Sequence, residues 1–252
     1  IKSGMAKKCL IIGADTLSRV VDKSDRDSMI FADGAGATIL EKTKESGGIL
    51  SHNTASYTDD EVFYLYFGKS YNNNVKNENR YIKMRGRKVY EFALTNVPAA
   101  MKECLDLAKV DISEVKKILI HQANAKMDDA IVRRLYKLYN SDAPDNIMPL
   151  TVDRFGNSSV ATVPTMLDLI VSGNLDKHNI KSGDKIILDR SAQGAIPILE
   201  CDGKFYSDPG QWSLLFDRLL STPTMPKFTG IDDFTGPWCH TGLWPKEGID
   251  YK

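Results

Sequence analysis

Charge of one sign is the first thing this sequence lacks. Its 252 residues carry 33 Lys and Arg against 33 Asp and Glu, a formal net charge of zero. No basic excess exists to follow a nucleic-acid backbone or an anionic membrane surface, so neither partner is expected. Cysteine is scarce. Cys9, Cys104, Cys201 and Cys239 stand far apart, without the spacing of a metal site or a disulfide framework. A reducing cytoplasm is the expected setting. No second His or Cys falls at ligand spacing from any histidine, so no metal is expected. No apolar run is long enough to span a bilayer. The first residues, Ile1-Lys2-Ser3-Gly4-Met5, hold no signal-peptide core, and position 1 is not Met, so the reading frame is expected to begin upstream.

What the chain does have is a layered α/β pattern. Lys8 to Asp15 reads as a buried strand leaving through a glycine, and Asp22 to Ser28 as a charged loop. The glycine-rich stretch Asp33-Gly34-Ala35-Gly36 feeds a second strand, and Gly48 to Thr54 is expected to pair with it. These glycines precede a strand rather than joining strand to helix, which argues for turn and close packing over a dinucleotide site. Tyr57 to Asn79 is a polar, aromatic surface excursion whose Tyr64, Tyr66 and Phe67 would either line an acyl tunnel or form a small cluster. Gly86 to Ala108 has helical spacing, with Pro98 expected to kink or divide it and Cys104 on its apolar stripe as a core thiol. Asp111-Ile112-Ser113-Glu114 has capping-box spacing. Lys126 to Tyr139 is a second amphipathic helix, with Met127, Ile131, Leu135 and Leu138 inward and Lys126, Arg133 and Arg134 outward. Ile147 to Val152 reads as a strand, Ser158 to Ser172 as a helix stopped by Gly173, and Lys185 to Leu188 as a strand. Past Arg190 the texture turns irregular, with one helix expected over 211–220.

Two polar stretches stand out against this frame. The apolar run Lys117-Ile118-Leu119-Ile120 ends in His121-Gln122-Ala123-Asn124, and Gly156-Asn157-Ser158-Ser159 precedes a helix. Chemistry in layered α/β proteins gathers where strands end. A neutral imidazole N–H and an amide N–H₂ are both donors. Converging on one point, His121 and Asn157 would form an oxyanion hole for a thioester carbonyl or an enolate. His121 has to stay neutral for this, which burial favours. His178 reads as a solvated loop residue.

Taken together, these two runs, Asp33-Gly34-Ala35-Gly36-Ala37 after Asp25-Arg26, and Met84-Arg85-Gly86-Arg87-Lys88-Val89-Tyr90 resemble β-ketoacyl-acyl carrier protein synthase III. The match covers roughly residues 1–188. The resemblance implies a thiolase-like fold: the C-terminal half as a layered α-β-α unit, plus an unassigned irregular tail. It divides the chain into 1–80, the end of the N-terminal half with its insertion; 81–200, the C-terminal domain; and 201–252, the tail. It implies an acyltransferase of fatty-acid biosynthesis that condenses acyl-CoA with malonyl-acyl carrier protein, without a cofactor and normally as a homodimer. In that family His121 and Asn157 would stabilise the enolate formed on decarboxylation. Arg26 would lie against the CoA adenine, and Gly86, Arg87 and Asn124 near the pantetheine arm. Lys126 and Arg133 would face the acidic carrier protein.

Two departures from the family accompany the resemblance. The nucleophilic cysteine of its N-terminal half is not found, and Cys9 falls in the strand that follows its place. The glycine-rich loop and final strand expected after Leu188 are reduced to Gly194, which would leave one wall of the pocket open. Rival readings are a non-catalytic CoA- or carrier-protein-binding fragment that pairs with a separate N-terminal half, and a polyketide-type condensing enzyme.

Overall fold

The described strands form three β-sheets, of which one two-stranded sheet and the four-stranded sheet bear on the candidate site. A computed structural model describes residues 1, 4–42 and 47–189, and the backbone of 195–200. All of these fall in one compact unit.

Strand β1 (Lys8–Asp15) pairs antiparallel with β2 (Gly34–Glu41), from Lys8↔Glu41 to Asp15↔Gly34. Gly34 and Gly36 sit on one face of β2, because side chains alternate along a strand. A Cβ on Gly34 would lie 2.9 Å from Ala161 Cβ and Ser158 Cβ, and one on Gly36 2.7 Å from Pro164 Cγ. The glycine-rich stretch is therefore there for close packing. It lets β2 lie directly on the segment that follows Asn157.

The second layer is a four-stranded sheet in the order β3-β8-β7-β6, made of Gly48–Thr54, Ala195–Glu200, Lys185–Asp189 and Val115–Ile120. Strands β6 and β7 are parallel; β8 is antiparallel to both β7 and β3. Two expectations are corrected here. Strand β3 pairs with β8 and not with β2, whose partner is β1. The strand expected to be missing after Leu188 is present as β8, between β7 and β3. Pro197 within it disguised it, since proline inside a run argues against a strand.

The sheet is covered on both faces. Along β6, Ile118 and Ile120 join the cluster built with Met101, Leu105, Ile131 and Leu135, while Leu119 points into the one built with Met166, Leu167 and Ile170. The first cluster comes from α1 (Gly86–Ala108) and α2 (Ala125–Lys137), the second from α4 (Thr162–Val171). The period-2 alternation makes the three layers of the thiolase-like α-β-α arrangement.

Helix α1 runs unbroken through Pro98. Its predicted division does not occur, although proline has no N–H for the Leu94 carbonyl. That carbonyl instead accepts a hydrogen bond from Arg134 Nη1 on α2, at 2.9 Å. Arg134 is exposed, as expected, and its guanidinium reaches along the surface to α1. Leu138, expected inward, is 48% exposed. Cys104 is buried in the core, its Sγ 3.2 Å from Ser51 Oγ. The capping box at Asp111 and Glu114 is formed, on a 3-10 turn at Ile112–Glu114.

Ile147 to Val152 is not a strand. Only the Ile147 carbonyl is paired in strand fashion, by Ile118 N–H at 3.0 Å. Pro149 interrupts the run, and α3 (Val152–Phe155) begins at its end. The excursion after Tyr57 holds a 3-10 turn at Asp60–Phe63 and β4 (Leu65–Gly68), which pairs antiparallel with β5 (Tyr81–Met84). Tyr57 and Tyr64 stack edge-on against Phe92, at 5.0 and 6.5 Å between ring centroids, as a small cluster would. The helix expected over 211–220 lies outside the described residues. Among the described residues no helix is long and apolar enough to cross a membrane.

Candidate active site

His121 is the first residue beyond β6, and Asn157 follows the short helix α3. Both are buried, at 8% and 6% exposure. The His121 N–H donates to the Asp189 carbonyl at 2.9 Å, so the end of β7 fixes where the imidazole leaves the sheet. Asn157 is held from both sides of its peptide. Its N–H donates to the Ile30 carbonyl at 2.7 Å, and its own carbonyl accepts from Ala32 N–H at 2.9 Å. Gly156 before it has φ +62 and ψ −162, a conformation open essentially to glycine alone. A Cβ there would also stand 3.2 Å from the Ile30 carbonyl oxygen.

The Asn157 side chain is oriented by its neighbour. Ser159 N–H donates to Oδ1 at 3.0 Å. The acceptor end of the amide is thereby engaged, and the Nδ2 hydrogens remain to donate elsewhere.

Gln122 does not join His121 as a third site donor. It is fully buried: Nε2 donates to the carbonyls of Ile120 and Pro149, and Oε1 accepts from Thr151 N–H at 3.0 Å. Thr151 precedes α3, so Gln122 fastens the His121 strand end to the segment that leads to Asn157. Asn124 likewise has a local task. It caps α2, its Oδ1 accepting from Lys126 N–H and Met127 N–H. One turn on, Asp128 is fully buried. Removal from water pushes its carboxyl up to about 7, and the Asn124 and Ala123 amides oppose this weakly, without a well-aligned bond to either oxygen.

The remaining predicted residues lie on the outside. Arg26 opens a 3-10 helix, Arg26–Ile30, with its side chain 90% exposed and 4.0 Å from Asp27. Arg87 is 91% exposed and pairs with Glu91 at 2.8 Å. Gly86 lies beside the Arg26 turn, where a Cβ would be in ordinary contact with Asp27 Oδ2, at 3.7 Å. On α2, Lys126 is exposed, and Arg133 pairs with Asp129 on its own helix at 2.8 Å. His178 is half-buried, which lowers its basicity by desolvation. Among the described residues no three His, Cys, Asp or Glu gather as metal ligands.

Two family profiles match this chain: "3-Oxoacyl-[acyl-carrier-protein (ACP)] synthase III" over residues 1–58, and the C-terminal part of the same family over residues 105–196. They lie in order, and the second takes in His121, Asn157 and the start of β8. The chain belongs to the 3-oxoacyl-[acyl-carrier-protein] synthase III family.

Among curated relatives, the β-ketoacyl-[acyl-carrier-protein] synthase III of Erythrobacter litoralis is 36% identical over 199 residues, covering 77% of this chain and 58% of that protein. The enzyme of the same name from Clostridium botulinum is 36% identical over 196 residues, covering 75% and 56%. The chain therefore spans a little over half the length of these synthases. Among solved structures, the synthase III of Thermus thermophilus superposes with a TM-score of 0.68 at 27% identity, over 81% of this chain and 62% of that one. That of Aquifex aeolicus gives 0.62 at 28%, over 79% and 59%. A priming β-ketosynthase of a polyketide pathway shares the fold, with a TM-score of 0.61 at 22% identity.

Sequence reasoning missed one further feature of this chain. Lys83, in the middle of β5, is fully buried between Asp22 at 2.6 Å and Asp25 at 3.2 Å. Its signal was faint: a lysine between apolar residues, and two aspartates three apart in a stretch read as a charged loop.

Proposed function

We propose that this chain carries the enolate-stabilising part of a decarboxylative condensing enzyme, an acyltransferase of fatty-acid biosynthesis. The observation that carries the reading is the Asn157 amide, whose acceptor oxygen is occupied by Ser159 N–H so that its donor end is presented. His121 supplies the second donor from the end of β6. The malonyl C–C bond breaks and CO₂ leaves. The electron pair moves onto the thioester, and its oxygen becomes an enolate oxyanion held by the two N–H donors. The enolate carbon then attacks the acyl thioester carbonyl, forming the new C–C bond and expelling the thiolate that carried the acyl group. Both donors sit in buried positions, where fixed dipoles count for more than in water.

In this reading the acyl group rides on a cysteine other than Cys104 or Cys9. Cys104 belongs to the core beside Ser51, and Cys9 stands exposed on β1. The substrates are a CoA thioester and a malonyl-acyl carrier protein. Arg26 meets the CoA nucleotide, while Gly86, Arg87 and Asn124 border the pantetheine path. Gly86 lies beside Asp27, which supports a shared site for the two segments. Lys126 and Arg133 offer positive charge to the carrier protein, with Asp129 offsetting part of Arg133. No metal or cofactor takes part, and the working unit is a cytoplasmic homodimer. The domain limits 1–80, 81–200 and 201–252 belong to the same proposal, with β3 contributed to the sheet of the second domain.

The test is CO₂ release from a malonyl thioester. The chain is expected to exceed a His121→Ala, Asn157→Ala double variant by at least about 10²-fold, the usual loss for one such donor. Equal release from the two proteins overturns the reading.

A further inference from the structure

Lys83 is an expensive residue to bury. Removing an ammonium from water is worthwhile only where several partners are fixed in place, and an apolar residue of the same volume would fill the space more cheaply. Here the partners come from two separate stretches, the 22–25 loop and Tyr71. Asp22 Oδ2 accepts from Lys83 Nζ at 2.6 Å and from Tyr71 N–H at 2.7 Å, and Asp22 Oδ1 accepts from Ser70 Oγ and Ser24 N–H. The Tyr71 ring lies with its centroid 3.5 Å from Lys83 Nζ. The 70–71 turn and the 22–25 loop are thus tied to β5.

Asp25 is the informative partner. Its Oδ2 accepts from Lys83 Nζ at 3.2 Å, while its Oδ1 accepts from Asp27 N–H at 3.0 Å as the N-cap of the Arg26–Ile30 turn. One carboxylate therefore links the buried ammonium to the backbone on the far side of Arg26. The backbone bonds around Arg26 itself are short-range, such as Ser28 N–H to Asp25 O and Asp25 N–H to Asp22 O. The far end of the turn is anchored separately, where the Ile30 carbonyl accepts from Asn157 N–H at 2.7 Å, so Asp25 supplies the long-range tie at the Arg26 end. Lys83 is also one residue from Met84, after which the chain turns into Gly86 and Arg87. The same residue registers the Arg26 turn against the start of α1.

Resting on the CoA reading above, we propose that Lys83 is a positioning residue for the nucleotide end of the CoA site, acting through Asp25 to aim the Arg26 turn. Loss of the Lys83 charge then loosens the hold on the nucleotide and leaves the pantetheine path as it was.

The experiment compares the affinity of the whole chain for CoA and for pantetheine, which lacks the nucleotide. The proteins are the wild type, Arg26→Ala, Lys83→Met, Lys83→Arg, Asp25→Asn, and Lys83→Met combined with Arg26→Ala. Lys83→Met and Asp25→Asn are expected to weaken CoA about tenfold with pantetheine unchanged, and Lys83→Arg to recover part of the loss. The combined variant should bind CoA no worse than Arg26→Ala, because both changes act on one contact. Asp25→Asn keeps the capping oxygen and is partly exposed, so it reads the same link if Lys83→Met does not fold. Equal weakening of both ligands, additive losses in the combined variant, or unchanged CoA affinity in Lys83→Met and Asp25→Asn each overturn the inference. If Arg26→Ala leaves CoA binding unchanged, or the wild type prefers CoA no more than pantetheine, the CoA site itself falls and the Lys83 role with it.

Discussion

Arg134 Nη1 donates to the Leu94 carbonyl at 2.9 Å, and Pro98 is the reason that carbonyl is available. In an uninterrupted helix the N–H four residues on would take it. The proline removes this donor, and a guanidinium from the neighbouring helix replaces it. The contact keeps α1 continuous and fixes α2 against it. Because α2 begins at the Asn124 cap just after His121, the pair also helps to set the strand end that carries the imidazole.

Arg134→Ala is expected to cost about 1–2 kcal/mol in urea unfolding, the usual range for a lost hydrogen bond that strands an acceptor. In a Pro98→Ala background the helix regains its own N–H for Leu94. The Arg134 effect should then shrink, and a double-mutant cycle gives the coupling directly. A full additive loss in the Pro98→Ala background would show that Arg134 matters for another reason.

Gly156 holds Asn157 in place by a backbone conformation that other residues avoid. Gly156→Ala is expected to cost on the order of 1–3 kcal/mol of stability. Decarboxylation should fall with it, because the peptide that positions the amide is displaced. Asn157→Asp is the complementary change. It keeps the oxygen that accepts from Ser159 N–H but loses both donor hydrogens. It should unfold like the wild type while malonyl decarboxylation drops about 10²–10³-fold. A stable Asn157→Asp protein with wild-type CO₂ release would remove Asn157 from the reaction.

Asp128 makes stability fall with rising pH. Burial raises its folded value to about 7, from 3.8 for the free carboxyl. Below 3.8 the group is protonated in both states and contributes no penalty. Between 3.8 and 7 the unfolded chain ionises first, so unfolding is favoured at up to about 1.4 kcal/mol per pH unit. Asp128→Asn is expected to abolish this slope, so that it is more stable than the wild type at pH 7 and gains little at pH 4. Denaturant midpoints measured across that interval for both proteins decide the matter; parallel curves would place the titration elsewhere.

Local rules were enough for much of the architecture. The period of α1, the capping box at Asp111, the run into His121 and the tight packing of Gly34 and Gly36 all depend on residues close in sequence or on the size of one side chain. The resemblance to synthase III rested on such short motifs. What could not be read locally was partner choice. Nothing in Gly48–Thr54 tells whether β2 or β8 lies beside it, and Pro197 makes β8 look like an unlikely strand by composition. Ile147 to Val152 is apolar enough for a strand, but only Ile147 finds a strand-like bond. Within the candidate site, the two donors were legible as residue types, whereas Gln122 as a clamp and Lys83 as a knot appear only once distant segments meet.

The position of β8 has a consequence for how the protein is made. Gly48 pairs with Glu200 and Thr54 with Ala195, so an early strand waits for a late one. While a ribosome is still adding the intervening residues, β6 and α2 can collapse locally, but β3 has no neighbour on the sheet. Closing so long a loop is slow, and the unpaired strand is exposed to other nascent chains meanwhile. A stop codon placed before Ala195 would therefore remove more than β8 itself: it would leave β3, with the Ser51 that contacts the Cys104 backbone, without the partner that brings it onto the sheet.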